Sequence, residues 1–232
     1  MNKKVVLILL FLVSSAVVFG QAKPFRFGIK VSPNISWLQA STEGYEHDGT
    51  NFGFGWGFIS DFSVADNYFI STGFDVIFNG GELSYPYVDN QLDIEGTLYR
   101  EYNLKYFQIP VTLKMRTNKF GSYAFFGNLG LGSAIRIGAK AKDQFEYKDT
   151  KGETIRTDET EHTITDEINL FKASMIFGIG MEYYVDESTS IVFAVNYNNG
   201  FTNVLNGYNT VAPSLKEKAQ LNYFEFSVGI IF

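Results

Sequence analysis

The sequence predicts an all-β fold: an eight-stranded antiparallel up-and-down transmembrane β-barrel with short periplasmic turns and long extracellular loops. Three observations predict it. Apolar and polar residues alternate with period two over segments of about ten residues. These segments number eight, an even count, and the links between them alternate strictly between short and long. The composition agrees, with 23 Phe, 14 Tyr and 22 Gly among 232 residues and only 5 Pro, which excludes a disordered chain, a collagen and a coiled coil.

The N-terminus sets the compartment. Met1 to Gly20 has the layout of a secretory signal: Lys3 and Lys4 form a basic start, Val5 to Val13 is unbroken apolar sequence, and Val18-Phe19-Gly20 supplies a cleavage site before Gln21. The alternative, a membrane anchor, fits less well, because the run is interrupted by Ser14 and Ser15 and is shorter than the roughly 20 residues of a spanning helix. The expected organisation is a cleaved signal, residues 1–20, and one barrel domain, residues 21–232. After Gly20 no apolar stretch reaches 18 residues, so no transmembrane helix is predicted.

The first predicted strand sets Phe25, Phe27, Ile29, Val31, Ile35 and Trp37 against Arg26, Gly28, Lys30, Ser32, Asn34 and Ser36. In the second, Phe52, Phe54, Trp56, Phe58, Phe62 and Val64 oppose Gly53, Gly55, Gly57 and Asp61, with Ser60 as a polar break. The third sets Tyr68, Ile70, Phe74, Val76 and Phe78 against Ser71, Gly73 and Asp75. The fourth changes parity, with Tyr102, Leu104 and Tyr106 on one side and Phe107, Ile109, Val111, Leu113 and Met115 on the other. A bulge near Pro110, which has no N–H to donate to a ladder, is expected to reconcile them. The fifth sets Tyr123, Phe125, Leu129, Leu131, Ile135 and Ile137 against small residues and Arg136. The sixth sets Phe171, Met175, Phe177, Ile179, Met181 and Tyr183 against Lys172, Ser174 and Glu182. The seventh runs Ile191, Phe193, Val195 and Tyr197, and the last runs Phe224, Phe226, Val228, Ile230 and Phe232 opposite Glu225, Ser227 and Gly229.

The links at 65–67, 117–122 and 185–190 are tight turns, whereas those at 38–51, 79–101, 139–169 and 199–222 are long and polar. Eight strands enclose only a narrow interior, which cannot hold the large apolar face but fits the opposite face of Gly, Ser, Ala and Asn. The apolar face therefore points to lipid, and a soluble lipocalin-like barrel with its apolar face inward is disfavoured. Arg26, Lys30, Lys114, Arg136 and Lys172 then face inward with Asp61, Asp75, Glu182 and Glu225, close to neutral in sum. Charge in a desolvated lumen requires pairing, so a salt-bridged plug is expected rather than an ion path. Tyr68, Tyr123 and Tyr183 fall at turn-side ends, where an aromatic girdle belongs.

Several phrases resemble the PorT-type outer-membrane β-barrel family of Bacteroidota: Phe27-Gly28-Ile29-Lys30 with Asn34, the run from Tyr106 to Lys114, Gly127 to Gly132, and Gly178 to Tyr183 followed by Asn196-Tyr197. The resemblance spans nearly all of the chain after Gly20 and implies the fold more than an activity. The founding members are linked to type IX secretion and gliding, so an accessory role there, with secretion or surface proteins as partners, is an implied expectation. Phe224, Phe226, Val228, Ile230 and Phe232 in phase also look like the terminal signal read by the barrel-assembly machinery, which implies that machinery as a partner in biogenesis.

Other chemistry is weakly signalled. With net charge −6, the chain has no basic field to gather nucleic acid, and zero Cys removes thiolate metal sites and a Cys nucleophile. Gly53-Phe54-Gly55-Trp56-Gly57 lacks the following helix that a phosphate loop needs. His47 sits beside Glu46 and Asp48 with Ser41 nearby, and His162 lies in another long link, so a lipid-modifying enzyme is the alternative to a non-enzymatic barrel, as is a narrow channel. The carboxylates Asp158, Glu159, Glu161, Asp166 and Glu167 have no EF-hand spacing and are interleaved with lysines. No cofactor and no metal are expected; the membrane lipid is.

Overall fold

A computed structural model describes residues 25–89, 94–209, 211–212 and 214–232. The predicted signal, with its cleavage point between Gly20 and Gln21, lies outside the described residues. The strands are β1 (Phe25–Ala40), β2 (Glu46–Ala65), β3 (Tyr68–Asp89), β4 (Ile94–Arg116), β5 (Tyr123–Lys148), β6 (Thr154–Arg156), β7 (Thr160–Thr163), β8 (Phe171–Tyr184), β9 (Ser190–Gly200) and β10 (Ala219–Ile231). Eight of them form a closed antiparallel ring in chain order, because β4 pairs β5, β5 pairs β8 and β1 pairs β10. The short β6 and β7 attach to the upper part of β5. At the seam the Phe27 N–H donates to the Phe232 carbonyl at 3.3 Å and the Phe232 N–H returns a bond at 2.8 Å.

Alternation places the apolar side chains outside. Ile29, Val31, Val111, Leu131, Phe177 and Val228 are among the exposed large hydrophobics, while Ser32, Asn34, Asp61, Lys114, Glu182 and Glu225 are buried in the lumen. Tyr68, Tyr123 and Tyr183 remain exposed at the turn-side ends, with the rings of Tyr123 and Tyr183 5.1 Å apart.

The long links differ from the expected loops. β3 and β4 stay paired up to Asp89↔Ile94, and β4 and β5 up to Gly96↔Tyr147. A membrane crossing takes about 9–11 tilted residues, whereas β4 has 23 and β5 has 26. Much of the supposed loop sequence is therefore strand that continues above the membrane. The polar residues that suggested loops are its water-facing side, such as Glu101, Lys140 and Lys142.

The parity change in β4 is not a bulge at Pro110. The register runs unbroken through Ile109↔Ser133, Pro110↔Gly132 and Val111↔Leu131. Tyr102, Leu104 and Tyr106 keep the same inward parity as Gln108 and Lys114, and all five are buried. What changes along the strand is the content of the lumen, polar below and apolar above. The irregularity in this pair comes higher, between Lys105 and Tyr106, where β5 inserts Ile137 as an extra residue. Ile135 and Ile137 face out, and the insertion turns the following Ala139 and Ala141, which share their sequence parity, inward.

If the exposed apolar belt is the lipid face, Leu131→Arg is expected to cost roughly 2–4 kcal/mol of stability near the bilayer midplane. Gly127→Ala, whose added methyl would meet only a carbonyl 3.8 Å away, should change unfolding in vesicles very little. Equal stability of the two variants by urea titration would contradict the assignment.

Candidate functional site

Among the described residues, charged side chains converge out of water in the lumen, and the ring geometry brings them together from strands distant in sequence. At the turn-side end, Arg26 of β1 bonds Asp61 of β2 at 2.9 Å and Glu182 of β8 at 3.0 Å. Lys114 of β4 joins the same two carboxylates at 2.9 and 2.5 Å. Arg116 reaches Glu182 at 3.4 Å, and the Tyr184 hydroxyl donates to Glu182 at 2.5 Å. Both guanidiniums lie over the Phe69 ring, each 4.8 Å from its centroid. Three cations share two carboxylates here.

One level higher the excess is reversed. Lys30 bonds Glu225 at 2.7 Å and Asp75 at 3.1 Å, so one cation faces two carboxylates. The Ser32 and Ser227 hydroxyls donate to Glu225 at 3.0 and 3.1 Å. Across the two levels the formal charges cancel, which is the condition for holding ions in a low-dielectric interior. A cavity of about 80 Å³ lies beside them, lined in part by Thr112, Asn128 and Asn196. A cavity that size has room for a few waters, at roughly 10–15 Å³ each.

Lys172 and Arg136 stand apart from this network. The Lys172 ammonium is fully buried between the rings of Tyr106 and Tyr223, 4.9 and 4.8 Å from their centroids, and no salt bridge joins it to a carboxylate among the described residues. Arg136 lies higher and donates to the Thr165 carbonyl. The sequence reading grouped both with the network because it fixed their face but not their height. It missed Arg116 and Tyr184, although each lies two residues from a lumen charge, Lys114 and Glu182 respectively, and period two alone would have added them.

Above Lys172 the lumen is filled by an apolar plug. Leu38, Leu83, Tyr102, Leu104, Ala141 and Leu221 from the wall pack around Ile164, Ile168, Val204 and Leu205 from the last two links. The plug is tied to the wall by the Ile164 N–H to Ala139 carbonyl bond at 3.1 Å and the Val204 N–H to Ala219 carbonyl bond at 2.9 Å. Its two link segments are joined by Asn169, whose backbone N–H donates to Val204 and whose amide donates to Leu205, both at 2.8 Å.

Arg100 closes the top. It grips Asp143 through two bonds of 2.6 Å and Glu167 through one of 2.5 Å. Burial disfavours the Arg100 charge, but the Asp143 hydrogen bonds together with the electrostatic attraction of Tyr85, Tyr102 and Asp143 outweigh it and hold its pKa above the ordinary value. Tyr45 stacks on Tyr85 at 4.3 Å and donates to Glu217 at 2.6 Å; burial and this carboxylate raise its pKa. His162 faces Asp143 at 3.6 Å, a carboxylate already held by Arg100. His47 lies in β2 opposite Leu83. Of the carboxylates in the β5–β8 link, Glu161 pairs with Lys140 and Glu167 with Arg100.

Residues 19–206 match the family model of the outer membrane protein beta-barrel domain. No curated protein matches the chain. Among solved structures the chain is similar to Neisserial surface protein A, at 12% identity, covering 91% of this chain and 97% of that one with a TM-score of 0.41. It is also similar to OprG from Pseudomonas aeruginosa, at 12% identity over 90% and 95% with a TM-score of 0.46. For Ail of Yersinia pestis, solved with the heparin analogue sucrose octasulfate, the figures are 15% identity, 90% and 99%, and 0.37.

Glu182 is the anion on which the lower cluster turns, so Glu182→Ala should leave three buried cations against Asp61 alone. The expected loss is about 3–5 kcal/mol, typical for breaking a buried ion pair. Glu167→Ala, at a half-exposed partner, should cost only about 0–1 kcal/mol. Urea unfolding in vesicles followed by Trp37 and Trp56 fluorescence reads both, and comparable losses would contradict the ranking.

Proposed function

We propose, from the premise that this chain belongs to the outer membrane protein beta-barrel domain family, that it is a closed, non-enzymatic barrel that binds partners on the cell's outer face. The observation carrying this reading is that the lumen is filled twice, by the neutral ion cluster below and by the apolar plug above. Each layer alone obstructs an ion. A hydrated ion passing the lower layer would have to break paired charges, and one passing the upper layer would have to enter hydrocarbon-like packing. The remaining accessible surface is the lipid belt, the short turns below it and the strand extension above it. That extension is a rigid scaffold with polar outward residues, the kind of surface on which loop-borne recognition is built.

The narrower role, an accessory of type IX secretion or gliding, is supported by the strand phrases shared with the PorT-type family. Its partners would be secretion or surface proteins, besides the barrel-assembly machinery that Phe232 and its in-phase neighbours address. Crosslinking in intact cells followed by mass spectrometry of the tagged barrel is expected to capture secretion components, and capture of assembly factors alone would overturn this narrower role.

Reconstituted in planar bilayers, the protein is expected to give no stable conductance steps. Reproducible unitary steps would contradict the closed lumen. His47→Ala combined with His162→Ala is expected to leave the cell's lipid A and phospholipids unchanged, and a lost modification would contradict the non-enzymatic reading.

A further inference from the structure

The barrel wall is irregular where β2 and β3 pair above Phe54. The β2–β3 register is Phe54↔Phe78 below and Gly49↔Glu82 above, leaving four residues of β2, 50–53, against three of β3, 79–81. Here β3 leans inward onto β1: a methyl on Gly81 would lie 2.5 Å from the Leu38 nitrogen and 3.0 Å from the Trp37 Cα. Only glycine permits that approach. Side chains of β1 replace the missing ladder bonds. Asn34 donates its amide to the Phe78 carbonyl at 3.1 Å, and the Ser36 hydroxyl accepts from the Gly80 N–H at 2.9 Å. With β3 drawn in, β2 is left as a ledge, and Phe52 on it is 79% exposed.

Beneath the ledge lies a groove of about 320 Å³ running across β3 and β4 to β5, with Phe52 and Phe78 at one end and Gly138 at the other. It sits at the upper edge of the apolar belt, where Phe78 and Ile137 are the last outward apolar residues on their strands before Glu82 and Lys140. Its lining includes Lys105 and Lys140 and no carboxylate. Lys105 holds its ammonium 4.8 Å from the Phe78 ring and forms no salt bridge among the described residues. Among the described residues Lys140 pairs with Glu161, at 2.6 Å and largely in water. In a chain of net charge −6, this rim is a local positive exception that continues directly from the lipid-facing surface.

We propose that this groove binds one outer-leaflet lipid bearing an anionic phosphate, with an acyl chain along Phe52 and Phe78 and the phosphate held by Lys105 and Lys140. Aromatic rings and ammonium groups in one groove match the two halves of such a molecule. Lysines that merely snorkel to the interface would cover the belt edge without selecting a headgroup, and that difference is measurable.

The test is native mass spectrometry of the folded, detergent-purified barrel after incubation with micelles containing equal phosphatidylglycerol and phosphatidylcholine of identical acyl chains. The wild type is expected to retain phosphatidylglycerol preferentially, by about fivefold per engaged lysine. Lys105→Gln with Lys140→Gln should equalise the two lipids, and Phe52→Ala should lower retention of both. Lys148→Gln with Lys151→Gln, at the tip of the β5–β6 hairpin, should leave the preference intact. Each variant is first checked for folding by its unboiled gel shift. Absence of a headgroup preference, its survival in the Lys105 and Lys140 variant, or an equal loss in the hairpin-tip variant would overturn the proposal.

Discussion

Every peptide group inside hydrocarbon must find a hydrogen-bond partner within the protein, and that requirement governs the whole molecule. Strands meet it only as a closed ring, since an open edge would leave a row of N–H and C=O groups in lipid. The pairing of β1 with β10, from Gly28 and Ile231 up to Ala40 and Ala219, therefore completes the ring. Closure at eight strands then fixes the bore, which is just wide enough for side chains to fill. From that point the lumen has to be packed, and the sequence packs it in two different ways along its height.

Below, where lipid surrounds the wall, outward residues are apolar and the inside receives what is left: small residues and charges. Those charges are tolerable because they are arranged as three cations on two carboxylates, then one cation on two, cancelling over a short distance. Above the membrane, water replaces lipid on the outside and the preference inverts. Glu101 and Lys142 face out while Tyr102 and Leu104 face in. Lys172 marks the boundary. It lies above the paired charges and below the plug, held by the faces of Tyr106 and Tyr223 instead of by a carboxylate.

The lower half was legible in the sequence because one environment covers each face for the length of a crossing, so period two is uninterrupted. Its inward charges were legible for the same reason, with Arg116 and Tyr184 overlooked although the same parity points to them. The upper half was not legible. When the environment outside a strand changes from lipid to water, the apolar residues switch faces without any change in backbone. In β4 that switch reads in one dimension as a slipped register, and it prompted a bulge at Pro110 that the unbroken pairing excludes. The bulge that does exist, at Ile137, leaves Ile135, Ile137, Ala139 and Ala141 in one sequence parity although the last two face inward, so the one-dimensional pattern carries no sign of it. The plug was invisible for a further reason: Ile164, Ile168, Val204 and Leu205 are scattered among polar residues and become a core only through the ring that surrounds them.

The two halves also draw their stability from different sources. Outward apolar residues in the belt gain nothing from burial against lipid that is as apolar as themselves, so the lower ring rests on backbone hydrogen bonds and on its ion pairs. The upper extension stands in water, where burying Leu83, Leu104, Leu205 and Leu221 gains the ordinary hydrophobic free energy. The plug is thus more than an obstruction. It gives the hairpins above the membrane a core of their own, and this is the physical reason that links with loop-like composition persist as paired strands up to Asp89↔Ile94 and Gly96↔Tyr147. A ring that ended at the membrane surface would need no such core. The extension exists only because apolar residues were placed inside it, which makes the outer platform a built part of the fold and ties its rigidity to the same packing that closes the lumen.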